Sequence, residues 1–171
     1  MSQNPAGLKN IDHLEFTVND LTSPTVKLFN TMGFAQTAKS NDAVLYTQGQ
    51  VRFLVKGSSD ENALSRQYFN KHGEGVSKIS FAVESVEKAL DVTLKNGAKL
   101  VVDFKVVETE NGPVKTAAIQ GFGDVINEFV ERPTSTFRPG FQPIENDSTA
   151  RPLKTRMSRI DHLTNNVPVG E

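Results

Sequence analysis

Ile11-Asp12-His13-Leu14-Glu15-Phe16-Thr17-Val18 sets Leu14, Phe16 and Val18 against His13, Glu15 and Thr17, the two-residue period of a half-buried strand. A His, a Glu and a Thr aligned on one strand face are expected to line a cavity rather than meet bulk water. The first four residues return letter for letter as Ile160-Asp161-His162-Leu163. A degenerate copy stands between them at Ser77-Lys78-Ile79-Ser80-Phe81-Ala82-Val83. Three strand-like openings read as one repeated unit, two complete and a third just begun.

The residues after each opening repeat as well. Ser23-Pro24 supplies an N-cap with proline at the first helical position, Val26, Leu28, Phe29 and Met32 form an apolar stripe, and Gly33 ends the helix. Short strands are expected at 34–38, 43–47 and 51–55, the last two joined at Gly49. A loop at 57–60 and a short helix over 62–70, with Leu64, Tyr68 and Phe69, lead to the turn His72-Gly73-Glu74-Gly75. The second unit then runs as a strand at 78–83, a helix over 86–96 with Val86, Ala89, Leu90 and Leu94, a cap at Gly97, and strands at 99–104, 116–120 and 125–131. Both units read β-α-β-β-β. The expected class is α+β: two βαβββ modules closing edge to edge into a cup-like curved mixed sheet with the helices outside. Residues 1–132 form that domain, with modules at 8–57 and 76–132. Residues 133–158, punctuated by Pro133, Pro139, Pro143 and Pro152, have linker composition. Residues 159–171 are expected to open a further domain, which makes the chain the N-terminal part of a longer protein.

Nineteen basic residues against twenty acidic ones give no electrostatic case for nucleic acid or an anionic membrane. The absence of cysteine removes disulfides and thiolate metal or redox sites. No stretch approaches a membrane span and residues 1–7 carry no signal-peptide pattern, so a cytoplasmic protein is expected. Gly121-Phe122-Gly123 sits between strands and is hairpin chemistry rather than a dinucleotide loop. No nucleophile elbow accompanies the Ser, His and Asp residues.

The paired architecture, with a His on the first strand of a unit and a carboxylate on the last, resembles the vicinal oxygen chelate superfamily. More narrowly, the chain resembles the N-terminal domain of 4-hydroxyphenylpyruvate dioxygenases of the bacterial type. The pieces that carry this are Gly7-Leu8 before the opening stretch, Leu28-Phe29 with Met32-Gly33-Phe34, and Leu45-Tyr46 with Gln48-Gly49. They continue with His72-Gly73, Ala118-Ile119-Gln120-Gly121, and Ile160-Asp161-His162-Leu163-Thr164 with Asn166-Val167. The resemblance implies a division of labour: an N-terminal domain that keeps the fold without the chemistry, and a C-terminal domain holding Fe(II) on two His and one Glu. The implied reaction turns 4-hydroxyphenylpyruvate, a small 2-oxo acid, and dioxygen into homogentisate and carbon dioxide in tyrosine catabolism. A related enzyme makes hydroxymandelate from the same substrate, and the residues that choose would lie in the other half. Exposed sheet edges suggest a homo-oligomer.

By that resemblance His162 is the first of three iron ligands in the whole enzyme, with the other two beyond Glu171. Within this chain it is expected to be an exposed His on a tail, and no catalytic residue is assigned. In the N-terminal domain His13, Lys78 and Glu128 stand at the corresponding positions. A Lys ammonium has no lone pair to give and repels a metal, so Lys78 is expected to pair with Glu128 in a vestigial site that binds no iron. The alternatives are a free-standing small-molecule binding or resistance module, and a glyoxalase-type metalloenzyme using His13 and Glu128. His72 is expected to be solvated or capping, and Asp12 and Asp161 to serve the turns into their strands.

Overall fold

The structure is a computed structural model that describes residues 4–57, 60–133, 137–145 and 155–166. Val167 of the closing motif, Pro152 in the proline-punctuated stretch, and Ser58 and Ser59 lie outside the described residues. The elements, in chain order, are β1 (Leu8–Val18), α1 (Pro24–Thr31), β2 (Ala35–Lys39), β3 (Ala43–Gln48), β4 (Val51–Gly57) and α2 (Leu64–His72). They continue with β5 (Gly75–Val83), α3 (Val86–Lys95), β6 (Leu100–Val107), β7 (Val114–Gln120), β8 (Ile126–Glu131) and β9 (Gln142–Pro143). This is the α+β class, each module running β-α-β-β-β. The chain divides into two compact units, His13–Ser77 with Gly140–Asp161, and Met1–Asp12 with Lys78–Pro139 and His162–Glu171.

In the first of these units β1 runs parallel to β4, and β4, β3, β2 and β9 follow antiparallel. A parallel pair needs a crossover between its strands, and α1 lies within it. The Ser23 hydroxyl accepts from the Val26 N–H at the start of α1, behind Pro24. Gly33, at φ +83°, takes the left-handed turn that ends it. Val26 and Phe29 are buried against Val18, Phe34, Tyr46, Val51 and Val55, with Phe16 and Phe53 packed on them. The rings interlock: Phe16 meets Phe29 edge-on at 4.9 Å and Phe34 stacks on Phe53 at 4.6 Å. Leu28 is not part of that stripe and is 54% exposed, because two residues from Val26 it lies off the i, i+3 face. Leu64 on α2 likewise points outward, and Ser65 is the residue that helix buries.

In the other unit β5 runs parallel to β8, and β8, β7 and β6 are antiparallel neighbours. Val86 and Ala89 of α3 are fully buried against Val83, Ala117, Ile119 and Phe129. The Ser85 hydroxyl accepts from the Lys88 N–H and caps the helix.

Residues 159–166 form no strand; Arg159 and Asp161 are exposed and 3.7 Å apart. The proline-punctuated stretch holds more structure than its composition announces: β9 pairs with β2, and the Ile144 N–H donates to the Thr37 carbonyl (3.0 Å). No helix among the described residues is long and apolar enough to cross a membrane.

Candidate functional site

Parallel pairing of β5 with β8 sets Ser80 beside Glu128, with Lys78 two residues back on the same face. That face is opposite the one carrying Phe129 and Val83 toward α3. Glu128 is 6% exposed and Ser80 is wholly buried. The Ser80 hydroxyl donates to Glu128 Oε2 (2.6 Å), and Lys78 Nζ lies 3.6 Å from Oε1. The Arg138 guanidinium, seven residues past the end of β8, also donates to Oε2. Both carboxylate oxygens are thus engaged, by an ammonium, a guanidinium and a hydroxyl, which is how a buried charge is held without a metal.

A second buried ion pair lies in the same unit. Arg132 Nη2 reaches Asp12 Oδ1 at 2.7 Å and Oδ2 at 3.0 Å, with both side chains 8% exposed. Asp12 therefore does more than serve the turn into its strand: it neutralises a guanidinium that the chain supplies 120 residues later. Phe137 lies beneath both guanidiniums, with its centroid 5.3 Å from Arg132 and 5.8 Å from Arg138.

His13 lies in the other unit and is wholly buried, as are Glu15 (4% exposed) and Thr17 (1%). The Thr17 hydroxyl donates to Ser77 Oγ (2.7 Å), whose own hydroxyl reaches the Glu15 carbonyl (3.4 Å). His162 is exposed. His72 closes α2, its ring 4.8 Å from Tyr68. Among the described residues no three His, Cys, Asp or Glu side chains gather as a metal would require. Iron, the metal the resemblance implies, does not fit at Glu128. An Fe(II) ion there would have to displace two cations from that carboxylate. Sequence reasoning reached Lys78 and Glu128 through the family resemblance. It missed Ser80 as a Glu128 partner, and Arg138 and Arg132, whose only sequence signal was basic residues just past the last strand of the second unit.

The family model described as hydroxyphenylpyruvate dioxygenase, N-terminal, matches residues 2–137. The chain belongs to that family. It is 28% identical over 182 residues to 4-hydroxyphenylpyruvate dioxygenase of Coccidioides posadasii, covering 91% of this chain and 45% of that one. To Hemolysin VllY of Vibrio vulnificus it is 33% identical over 177 residues, covering 98% of this chain and 47% of that protein. Among solved structures, a mutant 4-hydroxymandelate synthase from Streptomyces coelicolor superposes with TM-score 0.71 at 18% identity, covering 83% of this chain and 43% of the other. That likeness shows a shared vicinal oxygen chelate fold. The chain spans about half the length of the curated relatives it matches.

Proposed function

We propose that this chain is the N-terminal, non-catalytic part of a 4-hydroxyphenylpyruvate dioxygenase. The whole enzyme would use Fe(II) and dioxygen to convert 4-hydroxyphenylpyruvate to homogentisate and carbon dioxide, in the cytoplasm and as a homo-oligomer. The observation that carries this reading is the family match over residues 2–137 by a chain half as long as its dioxygenase relatives. The Glu128 cluster supports the division of labour. A carboxylate already neutralised by Lys78 and Arg138 has no role left as an iron ligand, so the metal and the 2-oxo acid would bind in the other half. His162 would be the first ligand of that half, and residues 159–171 its opening.

The test compares the whole protein with residues 1–171 alone. With Fe(II) and 4-hydroxyphenylpyruvate, the whole protein is expected to consume dioxygen and release homogentisate in equal amounts, and residues 1–171 to do neither. The proposal fails if the whole iron-loaded protein leaves the substrate untouched. It also fails if residues 1–171 bind iron stoichiometrically and lose it on His13→Ala, the outcome a glyoxalase-type metal site would give.

A further inference from the structure

Gln48, the last residue of β3, is 3% exposed, and its amide is spent entirely on main chain and one hydroxyl. Its Nε2 donates to the Met32 carbonyl at the end of α1 (2.9 Å). Its Oε1 accepts from the Met157 N–H (2.6 Å) and lies 3.3 Å from the Thr155 hydroxyl, which also reaches the Met32 carbonyl (3.0 Å). One residue on, the Gln50 N–H donates to the Ser158 carbonyl (2.8 Å). Between them Gly49 sits at φ +58°, and a Cβ there would lie 2.5 Å from the Met157 carbonyl oxygen. The turn thus comes closer to the passing main chain than any residue with a side chain would allow. Met157 and Ile160 then pack on the cluster around Phe29, Phe34, Tyr46 and Val55.

A hairpin needs only the glycine for its turn. It has no use for a buried amide that ties α1 to a segment more than a hundred residues away. The contacts read backbone position, through donors and acceptors at Gln48 and Gln50 and the bare backbone of Gly49 between them, with Met157 and Ile160 as apolar anchors. We infer that the β3–β4 turn is a latch for residues 155–160 and that Gln48 is a positioning residue. The latched stretch ends two residues before His162, so the latch sets where the chain sets out toward that residue. The functional half of this inference rests on the proposal that His162 is an iron ligand in the whole enzyme; the latch itself does not.

The experiment reads amide hydrogen exchange on residues 1–171 for the parent, Gln48→Leu and Thr155→Val. Thr155 is exposed, so its variant keeps the fold if Gln48→Leu does not. The Met157 and Gln50 amides are expected to be protected in the parent and to exchange about tenfold faster in the variants, with the β1 and β4 amides unchanged. In the whole protein the same variants should lose iron to a chelator several-fold faster. Unprotected Met157, or protection that neither variant alters, overturns the latch. Faster exchange with unchanged iron release overturns the positioning role. A whole protein that never takes up iron refutes the proposed function instead, and the exchange result then still decides the latch.

Discussion

Glu128→Gln removes one negative charge from a site holding two positive ones, and the structure sets the size of the effect. Lys78 Nζ is 3.6 Å from the carboxylate, with the two side chains 16% and 7% exposed. At an effective dielectric of about 20 that attraction alone is about 5 kcal/mol before desolvation is subtracted. The Arg138 bond adds to it, and the cost of having buried three charges offsets much of the sum. Breaking such a pair from one side leaves buried cations short of one counter-charge, and the expected loss is about 3–5 kcal/mol. Against a domain stability of about 5–15 kcal/mol this is a large share. Urea unfolding followed by far-UV circular dichroism suits a chain without tryptophan. With a denaturant slope of about 2.5 kcal/mol per molar, the midpoint should fall by about 1–2 M. Adding Lys78→Met to Glu128→Gln removes one of the cations that faced Glu128 and should recover about 1 kcal/mol or more, a coupling that a double-mutant cycle isolates. A midpoint shift below about 0.3 M, or no recovery in the double variant, would refute the claim that Glu128 is held as a buried counter-ion.

Two further perturbations test the same unit. Asp12→Ala removes the carboxylate that the Arg132 guanidinium is bonded to and should cost about 3–5 kcal/mol, whereas Asp12→Leu with Arg132→Met together should cost far less; urea midpoints decide it. Lys115 donates to Glu131 (3.1 Å) and Glu87 (3.2 Å), and these bonds, Glu131 first, raise its pKa above the ordinary lysine value. A cation with a raised folded-state pKa contributes fully below its unfolded value and loses that contribution as pH rises through the folded one. The stability difference between the parent and Lys115→Met should therefore stay level from pH 6 to about 10 and shrink only above it. A difference that already varies near neutral pH would contradict this.

What the sequence made legible and what it hid follow from the range of the interactions. Alternation in Leu14-Glu15-Phe16-Thr17-Val18 and the Ser23-Pro24 cap are local signals, and the strand and helix stand where those signals lie. The family resemblance brought Lys78 and Glu128 into one comparison, and the β5–β8 pairing sets them on one face. Arg132 and Arg138 were opaque because composition records a charge and not its partner. The bond from Arg132 to Asp12 closes only when β1 and the end of β8 have been brought together by the fold. Residues 155–160 were opaque for the opposite reason. Their polar, proline-flanked composition is that of a linker, and what seats them is a receptor on β3 and β4 built from Gln48 and the absence of a side chain at Gly49. Leu28 was misassigned because apolar character was counted without its angle around the helix.

The charges at Glu128 set what a metal ion at that carboxylate would cost. A metal ion ligated by Glu128 would have to share that carboxylate with the Lys78 ammonium and the Arg138 guanidinium. A double and a single positive charge about 4 Å apart at a dielectric of about 20 repel by about 8 kcal/mol. Against the whole free energy with which structural metal sites in proteins bind their ion, about 10–16 kcal/mol, one such repulsion is a large share. Moving the two cations away instead would forfeit the ion pairs and leave both side chains to be solvated elsewhere. Either route is costly. The Glu128 carboxylate is held as a counter-ion whose charge is already matched by groups of this chain.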